Sequence, residues 1–430
     1  MVTHSRTTLL LGYFVGFIAI VAPVLGFIAP KGIAPLVILG SIAGFAILKA
    51  QNRQIHWLNK PIIILFVCLC LWAALSIFWS IDGRSASIGT LKLIGNLIAG
   101  GVLFSVLQSL NEAELKIAMR WFLFGFLFIL GVVALELVLG NPVYTAIKNI
   151  RPQDIGLGGP YWLNTAVVVL VLLIWPLCVA LVKLGAERFG NPKLLFMAIC
   201  VFVAVLFLAV FIRFQSGALA LMLGILSACV IWFLGRRAAM AASILFVLVG
   251  LLLPTARTYF EDPVLAFENV VSLSNSAKHR IAIWDFTVEK IEQKTLFGWG
   301  MNASRNLPDG KSRLISKSGA IYGDAMPLHP HNAILQMWLE LGLPGIILYL
   351  TLGVYILMAA ASRIRSKFES SMMVGQFVTI MIIANLSFGV WQAWWIATLW
   401  LSAALMAMVA TKFYNQSLET LKPADEEGVI

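Results

Sequence analysis

Twelve apolar runs constrain this 430-residue chain more than any other feature. A helix needs about 20 apolar residues to cross roughly 30 Å of hydrocarbon. Sixty per cent of the residues are hydrophobic and only 12% are charged, too few charges to cover a soluble protein of this size. We therefore predict an all-α polytopic membrane protein with about twelve transmembrane helices. The runs lie near residues 9–29, 32–49, 61–80, 90–110, 116–139, 161–184, 194–212, 217–235, 238–254, 343–361, 371–390 and 393–412.

Lysine and arginine are unevenly divided among the connections, and this asymmetry predicts orientation because cytoplasmic loops retain positive charge. With twelve spans the richer connections fall on one side, for example Lys49, Arg53 and Lys60 after the second run and Arg236 and Arg237 after the eighth. We expect both termini in the cytoplasm, with the first run retained because no convincing cleavage site follows it. The net charge of +11 is mostly this topology effect, so we expect membrane lipid and no nucleic acid as partners.

One long segment, residues 255–342, separates the ninth and tenth runs and is the only stretch long enough to fold outside the bilayer. The predicted domains are therefore helices 1–9 (1–254), this loop (255–342), helices 10–12 (343–415) and a tail (416–430). The loop holds three of the five histidines, which makes it the expected location of function. All five cysteines lie in apolar runs, which leaves no disulfide framework and no CxxC metal site.

Two helices are predicted within this loop. Ser276 can cap the first, which continues to about Gln293 with apolar residues at spacings of three and four. Residues 306–323 follow as a mobile loop rich in glycine, serine and basic residues. The second helix is expected to begin near Pro330, at the first helical position, and to stop at Gly342.

His331 falls in the first turn of that second helix and is the best candidate for chemistry. The positive end of the helix dipole and the free N–H groups favour an anion nearby and disfavour protonation of the imidazole. A neutral imidazole is what a general base needs at neutral pH. The alternative is that His331 only caps the helix or hydrogen bonds a neighbouring loop.

His331-Asn332, nine further residues and then Gly342-Leu343-Pro344-Gly345 resemble the H-[NSQ]-x9-G-x-x-G signature of bacterial O-antigen ligases. The same family includes O-antigen and exopolysaccharide polymerases. The segment from Ser276 to Gly300 is similar to the one that opens the family's large periplasmic loop, where an arginine, here Arg280, precedes a tryptophan by four. The twelve-span topology with a late loop extends the resemblance over the whole chain.

The resemblance implies an inverting glycosyltransferase at the periplasmic face of the bacterial inner membrane. Its substrates would be an undecaprenyl-pyrophosphate-linked glycan and a sugar hydroxyl of lipid A-core. His331 would activate the hydroxyl, and Arg280 would hold the departing pyrophosphate, with Arg213 and Arg151 as further ligands. Asn332 would position the acceptor or cap the helix.

Two features bear on how far the resemblance holds. Family members often show Ser-Arg-Gly or Ser-Arg-Ala at the outer end of the span near 215, whereas this chain has Arg213-Phe214-Gln215-Ser216-Gly217, so its arginine is displaced. No DxD motif of the metal-dependent transferases occurs, and we therefore expect neither a metal nor another cofactor.

Two other functions stay open at the level of sequence. A polymerase of the same family would use a second carrier-linked glycan as its acceptor. A more distant alternative is a flippase or transporter of lipid-linked sugars, which should show charged residues in mid-membrane and inverted repeats. Neither is evident in this sequence.

Overall fold

A computed structural model of the chain describes residues 9–149, 163–186, 192–255, 274–315, 321–362 and 366–419. Among these residues, twelve helical spans are long and apolar enough to cross a membrane, which confirms the predicted all-α polytopic architecture. The spans are Leu10–Ile28, Pro30–Ala50, Lys60–Phe78, Gly83–Gln108, Glu112–Leu139, Asn164–Gly185, Pro192–Phe211, Gln215–Leu234, Arg236–Thr255, Ala333–Ser362, Lys367–Leu386 and Ala393–Ala410.

The α-helices are numbered here in chain order. They are α1 (Leu10–Ile28), α2 (Ile33–Ala50), α3 (Lys60–Leu75), α4 (Gly83–Gln108), α5 (Glu112–Leu139), α6 (Pro142–Lys148), α7 (Asn164–Ala186), α8 (Pro192–Phe211), α9 (Gln215–Leu234), α10 (Arg236–Leu252), α11 (Asn275–Gln293), α12 (Ala333–Ser362), α13 (Lys367–Leu386) and α14 (Ala393–Glu419). Short 3-10 turns cover Pro30–Gly32, Ser76–Phe78 and Ala303–Asn306.

A small β-hairpin interrupts the helical pattern between α11 and α12. Strand β1 (Arg313–Ile315) pairs antiparallel with β2 (Ile321–Asp324), and Leu314 lies opposite Gly323. The segment predicted as a loop, residues 306–323, therefore contains strand residues, because 313–315 pair with 321–324. The sequence prediction missed the hairpin because each strand has only three or four residues.

Close helix packing builds the membrane bundle. Helix α9 packs along α13, α1 along α5, and α4 lies against both α2 and α14. The indole of Trp175 on α7 fits against Gly224 and Gly375, where an added Cβ would come within 2.6 Å and 2.3 Å of the ring. Small residues allow this approach, and packing of this kind holds helices together in lipid, where the hydrophobic effect does not.

A second hydrophobic core lies where the described residues between α10 and Gly342 pack against α3 and α4. This core buries Ile283 of α11, Met337 of α12 and Trp299 between these helices, together with Ala73 of α3 and Leu93 of α4. In the apolar stripe predicted along α11, Val288 and Ile291 are buried in this core and Trp284 packs against it. The segment packs on one side of the bundle, against α3, α4 and α12.

Helix α12 is kinked at Gly342, where the sequence predicted a helix end. Gly342 has φ +61°, a left-handed conformation that glycine adopts without steric cost. An added Cβ there would lie 2.3 Å from the carbonyl oxygen of Leu296, so only glycine permits this approach. The kink separates a short arm, residues 333–341, from the longer part of α12.

Donors from outside the helix satisfy the carbonyl groups at the end of the short arm. The N–H of Trp299 donates to the carbonyl of Leu339 over 2.8 Å. The indole Nε1 of Trp72 donates to the carbonyl of Leu341 over 2.7 Å. These bonds fix the direction of the arm, which carries the candidate site at its other end.

Candidate functional site

Helix α11 brings Arg280 to the site. Ser274 caps this helix by accepting from the N–H of Ala277, so the predicted cap, Ser276, is two residues too late. One turn after Arg280, the indole Nε1 of Trp284 donates to the carbonyl of Pro330 over 2.9 Å. Residues four apart share one helix face, so this bond draws the chain before His331 towards Arg280.

His331 lies before the short arm of α12 rather than in its first turn. The helix begins at Ala333, so Pro330 is not at the first helical position. His331 has φ +55°, a conformation uncommon for a residue with a side chain. The chain reverses sharply at this residue, and Asn332 becomes the N-cap.

Side-chain oxygen atoms accept hydrogen bonds from backbone N–H groups at the start of the arm. The Oδ1 atom of Asn332 accepts from the N–H of Leu335 over 3.0 Å, and the Oδ1 atom of Asn385 accepts from Ile334 over 3.1 Å. The sequence left capping and acceptor contact open for Asn332, and the structure shows the cap. It also corrects the expectation that these N–H groups are free to bind an anion.

The imidazole of His331 is fixed in one tautomer. Its Nδ1 atom lies 2.7 Å from the carbonyl oxygen of Ser387, in the turn after α13. A carbonyl oxygen only accepts, so Nδ1 carries the proton and the neutral ring has its lone pair on Nε2. Nε2 is therefore the basic atom of the site.

Several effects act on the pKa of His331. Burial lowers it from its usual 6.5, the Ser387 hydrogen bond raises it, and electrostatic interactions with Arg280 and His279 lower it further. The net shift is downwards, so the ring is neutral at neutral pH. Burial also lowers the pKa of Arg280, but an arginine starts from 12.5 and stays charged. The site therefore combines a neutral base with a cation whose charge acts on it.

A second imidazole lies against the first. The rings of His329 and His331 have centroids 4.2 Å apart, and Nδ1 of His329 accepts from the backbone N–H of His331 over 3.2 Å. Burial, together with smaller electrostatic interactions with His331 and Arg305, lowers the pKa of His329 to about 3. His329 is therefore neutral at physiological pH and supports the turn at His331.

The two remaining predicted arginines have different outcomes. Arg213 precedes α9 with an exposed side chain and φ +59°. Three residues later, the hydroxyl of Ser216 lies 2.7 Å from that of Ser387, the residue whose carbonyl holds His331. The contact between Ser216 and Ser387 thus links the start of α9, which follows Arg213, to the candidate site. Arg151 lies outside the described residues.

The sequence interpretation did not identify Ser387, His329 or Arg305 as parts of the site. The spacing His329-Pro330-His331 was a visible signal for the second imidazole. Ser387 gave no signal, because it is 56 residues from His331. Among the described residues, no group of three or more His, Cys, Asp or Glu side chains is arranged to hold a metal ion.

Residues 200–350, which include His331, Arg280 and Arg213, match the family model described as O-antigen ligase. Relatives carrying the name "Putative polysaccharide ligase" come from Rickettsia felis and Rickettsia conorii. The first is 31% identical over 260 residues, 58% of this chain and 59% of the relative. The second is 30% identical over 258 residues, 58% of each chain. The alignments therefore span less than two thirds of these relatives.

Proposed function

We propose that this chain, which belongs to the O-antigen ligase family, transfers a glycan from undecaprenyl pyrophosphate to a sugar hydroxyl of lipid A-core. The observation that carries the proposal is the hydrogen bond between His331 Nδ1 and the Ser387 carbonyl, which leaves Nε2 as an unprotonated base. The charge of Arg280 acts on the same ring. A base for the acceptor and a cation for the leaving group are the two elements that this transfer requires.

In the proposed mechanism, His331 Nε2 takes the proton of the acceptor hydroxyl while the hydroxyl oxygen attacks the anomeric carbon of the donor. A new glycosidic bond forms, and the bond from that carbon to the pyrophosphate oxygen breaks with its electron pair. Arg280 and Arg213 stabilise the pyrophosphate through bidentate hydrogen bonds. One displacement inverts the anomeric configuration, and the imidazolium then returns its proton to solvent.

Guanidinium groups supply the positive charge in this proposal, and no metal ion takes part. Asn332 acts by capping the arm that carries His331, and contact of Asn332 with the acceptor stays a prediction, as does pyrophosphate binding by Arg151. Treatment of the purified enzyme with EDTA should leave the rate unchanged. A loss of activity that Mg²⁺ restores would contradict the metal-free mechanism.

We place the reaction at the periplasmic face of the bacterial inner membrane, with both termini in the cytoplasm. The unequal division of lysine and arginine among the connections supports this orientation. Lys311, exposed between α11 and α12, offers a test as Lys311→Cys. An impermeant maleimide should label this variant in spheroplasts without lysis, whereas labelling only after lysis would invert the topology.

The decisive assay gives the purified enzyme a defined undecaprenyl-pyrophosphate glycan and two competing acceptors, lipid A-core and a second carrier-linked glycan. We expect the product on lipid A-core, with an inverted anomeric linkage by NMR. Extension of the second carrier-linked glycan instead would identify a polymerase. Movement of the donor across vesicle membranes without a new bond would identify a transporter.

A further inference from the structure

We propose that Glu340 is a positioning residue, which holds the turn from Ser387 to Gln392 in place and thereby orients the imidazole of His331. This inference rests on the proposed function, because it assigns Glu340 a role in presenting the base. Glu340 does not touch His331 in the described contacts. It acts through the backbone carbonyl of Ser387.

The Glu340 carboxylate is fully buried and surrounded by hydrogen-bond donors. Its Oε2 atom accepts from the indole Nε1 of Trp391 over 2.6 Å and from the N–H of Asn302. Its Oε1 atom accepts from Nε2 of Gln336 over 3.0 Å and from the hydroxyl of Ser304. An ionised carboxylate, which only accepts, fits this set of donors.

Two of these contacts lead to the turn that holds His331. Trp391 belongs to the turn itself, and Gln336 uses its Oε1 atom to accept from the N–H of Val390 over 3.0 Å. The carboxylate and the amide thus fix two consecutive residues of the turn. Three residues before Val390 is Ser387, whose carbonyl accepts from Nδ1 of His331.

The same turn packs against the second imidazole. An added Cβ on Gly389 would lie 2.8 Å from Cδ2 of His329, and Gln392 Nε2 is 3.2 Å from His329 Nε2. A shift of the turn would therefore move both imidazoles. Burial of a carboxylate costs free energy that an apolar side chain would not, and the directional bonds it makes here fix a geometry that apolar packing alone does not specify.

The test replaces the carboxylate by an amide of the same size. Glu340→Gln places an NH₂ group among donors, which should loosen the turn. We expect kcat to fall about 10- to 100-fold, as for small misplacements of a reacting group, with little change in KM. Because the Ser387 hydrogen bond raises the pKa of His331, its loss should also move the acid limb of the rate profile to lower pH.

A merely structural role gives a different result. Loss of folded enzyme lowers the rate at every pH by the same factor and leaves the acid limb where it was. Glu136→Gln is the matched control, because Glu136 is equally buried and accepts from the backbone N–H groups of Val143 and Tyr144 over 2.7 Å and 2.9 Å. We expect this control to keep the wild-type pH dependence.

A second readout does not require activity. Diethyl pyrocarbonate modifies neutral imidazoles, and the pH dependence of its reaction at His331, followed by peptide mass spectrometry, gives the pKa of that ring. Glu340→Gln and the milder Trp391→Phe should both lower this pKa relative to wild type. If Glu340→Gln does not fold, Trp391→Phe decides. Unchanged labelling profiles in the folded variants would overturn the positioning role, whereas absence of transfer by wild type would refute only the proposed function.

Discussion

The membrane bundle and the turn around His331 are both buried, but different forces hold them together. In the bundle, Leu103 and Phe122 are completely buried among other apolar side chains. Around the site, Glu340, Gln336 and Asn332 are buried as well, and each is hydrogen bonded to a residue in another part of the chain or to the start of α12.

The difference teaches where the molecule should tolerate change. Dispersion and apolar burial have no preferred direction, so a bundle accepts substitutions that conserve volume and polarity. A hydrogen bond depends on distance and angle, so a displaced donor in the site region leaves a buried polar group unpaired. Substitutions in the bundle should therefore change stability, and substitutions around His331 should change the reaction.

The largest expected effect is that of His331→Ala, which removes the base. We expect the rate of transfer to fall about 10²- to 10⁴-fold, the usual contribution of general base catalysis, with unchanged expression and membrane insertion. His56→Ala, at an exposed histidine between α2 and α3, is the control and should transfer normally. Normal transfer by His331→Ala would refute the mechanism.

Arg280→Ala should have the next largest effect, about 10²- to 10³-fold on kcat, the range seen when one stabilising donor is removed from a transition state. Arg280→Lys should recover little, because an ammonium group cannot replace the planar, two-pronged guanidinium. Arg313→Ala removes an exposed arginine paired with Asp324 in the same segment and should leave kcat unchanged. Full activity of Arg280→Lys would show that a simple positive charge suffices at this position.

The same comparison explains what the sequence could predict. The twelve spans could be predicted from hydropathy, because the length and apolar composition of a span are properties of its own residues. The helix end at Gly342 followed from a glycine with a proline two residues later, which is a local signal too. Both predictions needed only neighbouring residues.

The details of the site depend on distant residues, and there the sequence was insufficient. Pro330 was expected to begin the helix, but the side chain of Asn332 caps it instead, after a left-handed residue at His331. The sequence drew attention to Trp284 as the tryptophan four residues after Arg280, but it did not show that its Nε1 donates to the carbonyl of Pro330, 46 residues away. A hydropathy pattern does not contain such pairings.

The rate should depend on pH through His331. Burial and neighbouring charge lower the pKa of this imidazole below 6.5, so more than half of the base is neutral at pH 6.5. The acid limb of kcat/KM that reports this group should therefore be centred below pH 6.5, with a fall of about tenfold per pH unit below that midpoint. An acid limb centred above pH 6.5 in the wild type and lost only in His331→Ala would contradict the assignment. It would show that the surroundings favour the cationic ring.

Leu103→Ala should have the smallest effect on the reaction and a large one on stability. Leu103 is fully buried in the bundle, and removal of a buried leucine side chain costs about 2–5 kcal/mol. We expect a lower midpoint of thermal inactivation in detergent with an unchanged kcat per folded molecule. Leu245→Ala, at a position of α10 that is 62% exposed, is the control and should change neither quantity. A tenfold loss of kcat in folded Leu103→Ala would mean that bundle packing, and not only the polar turn, sets the geometry at His331.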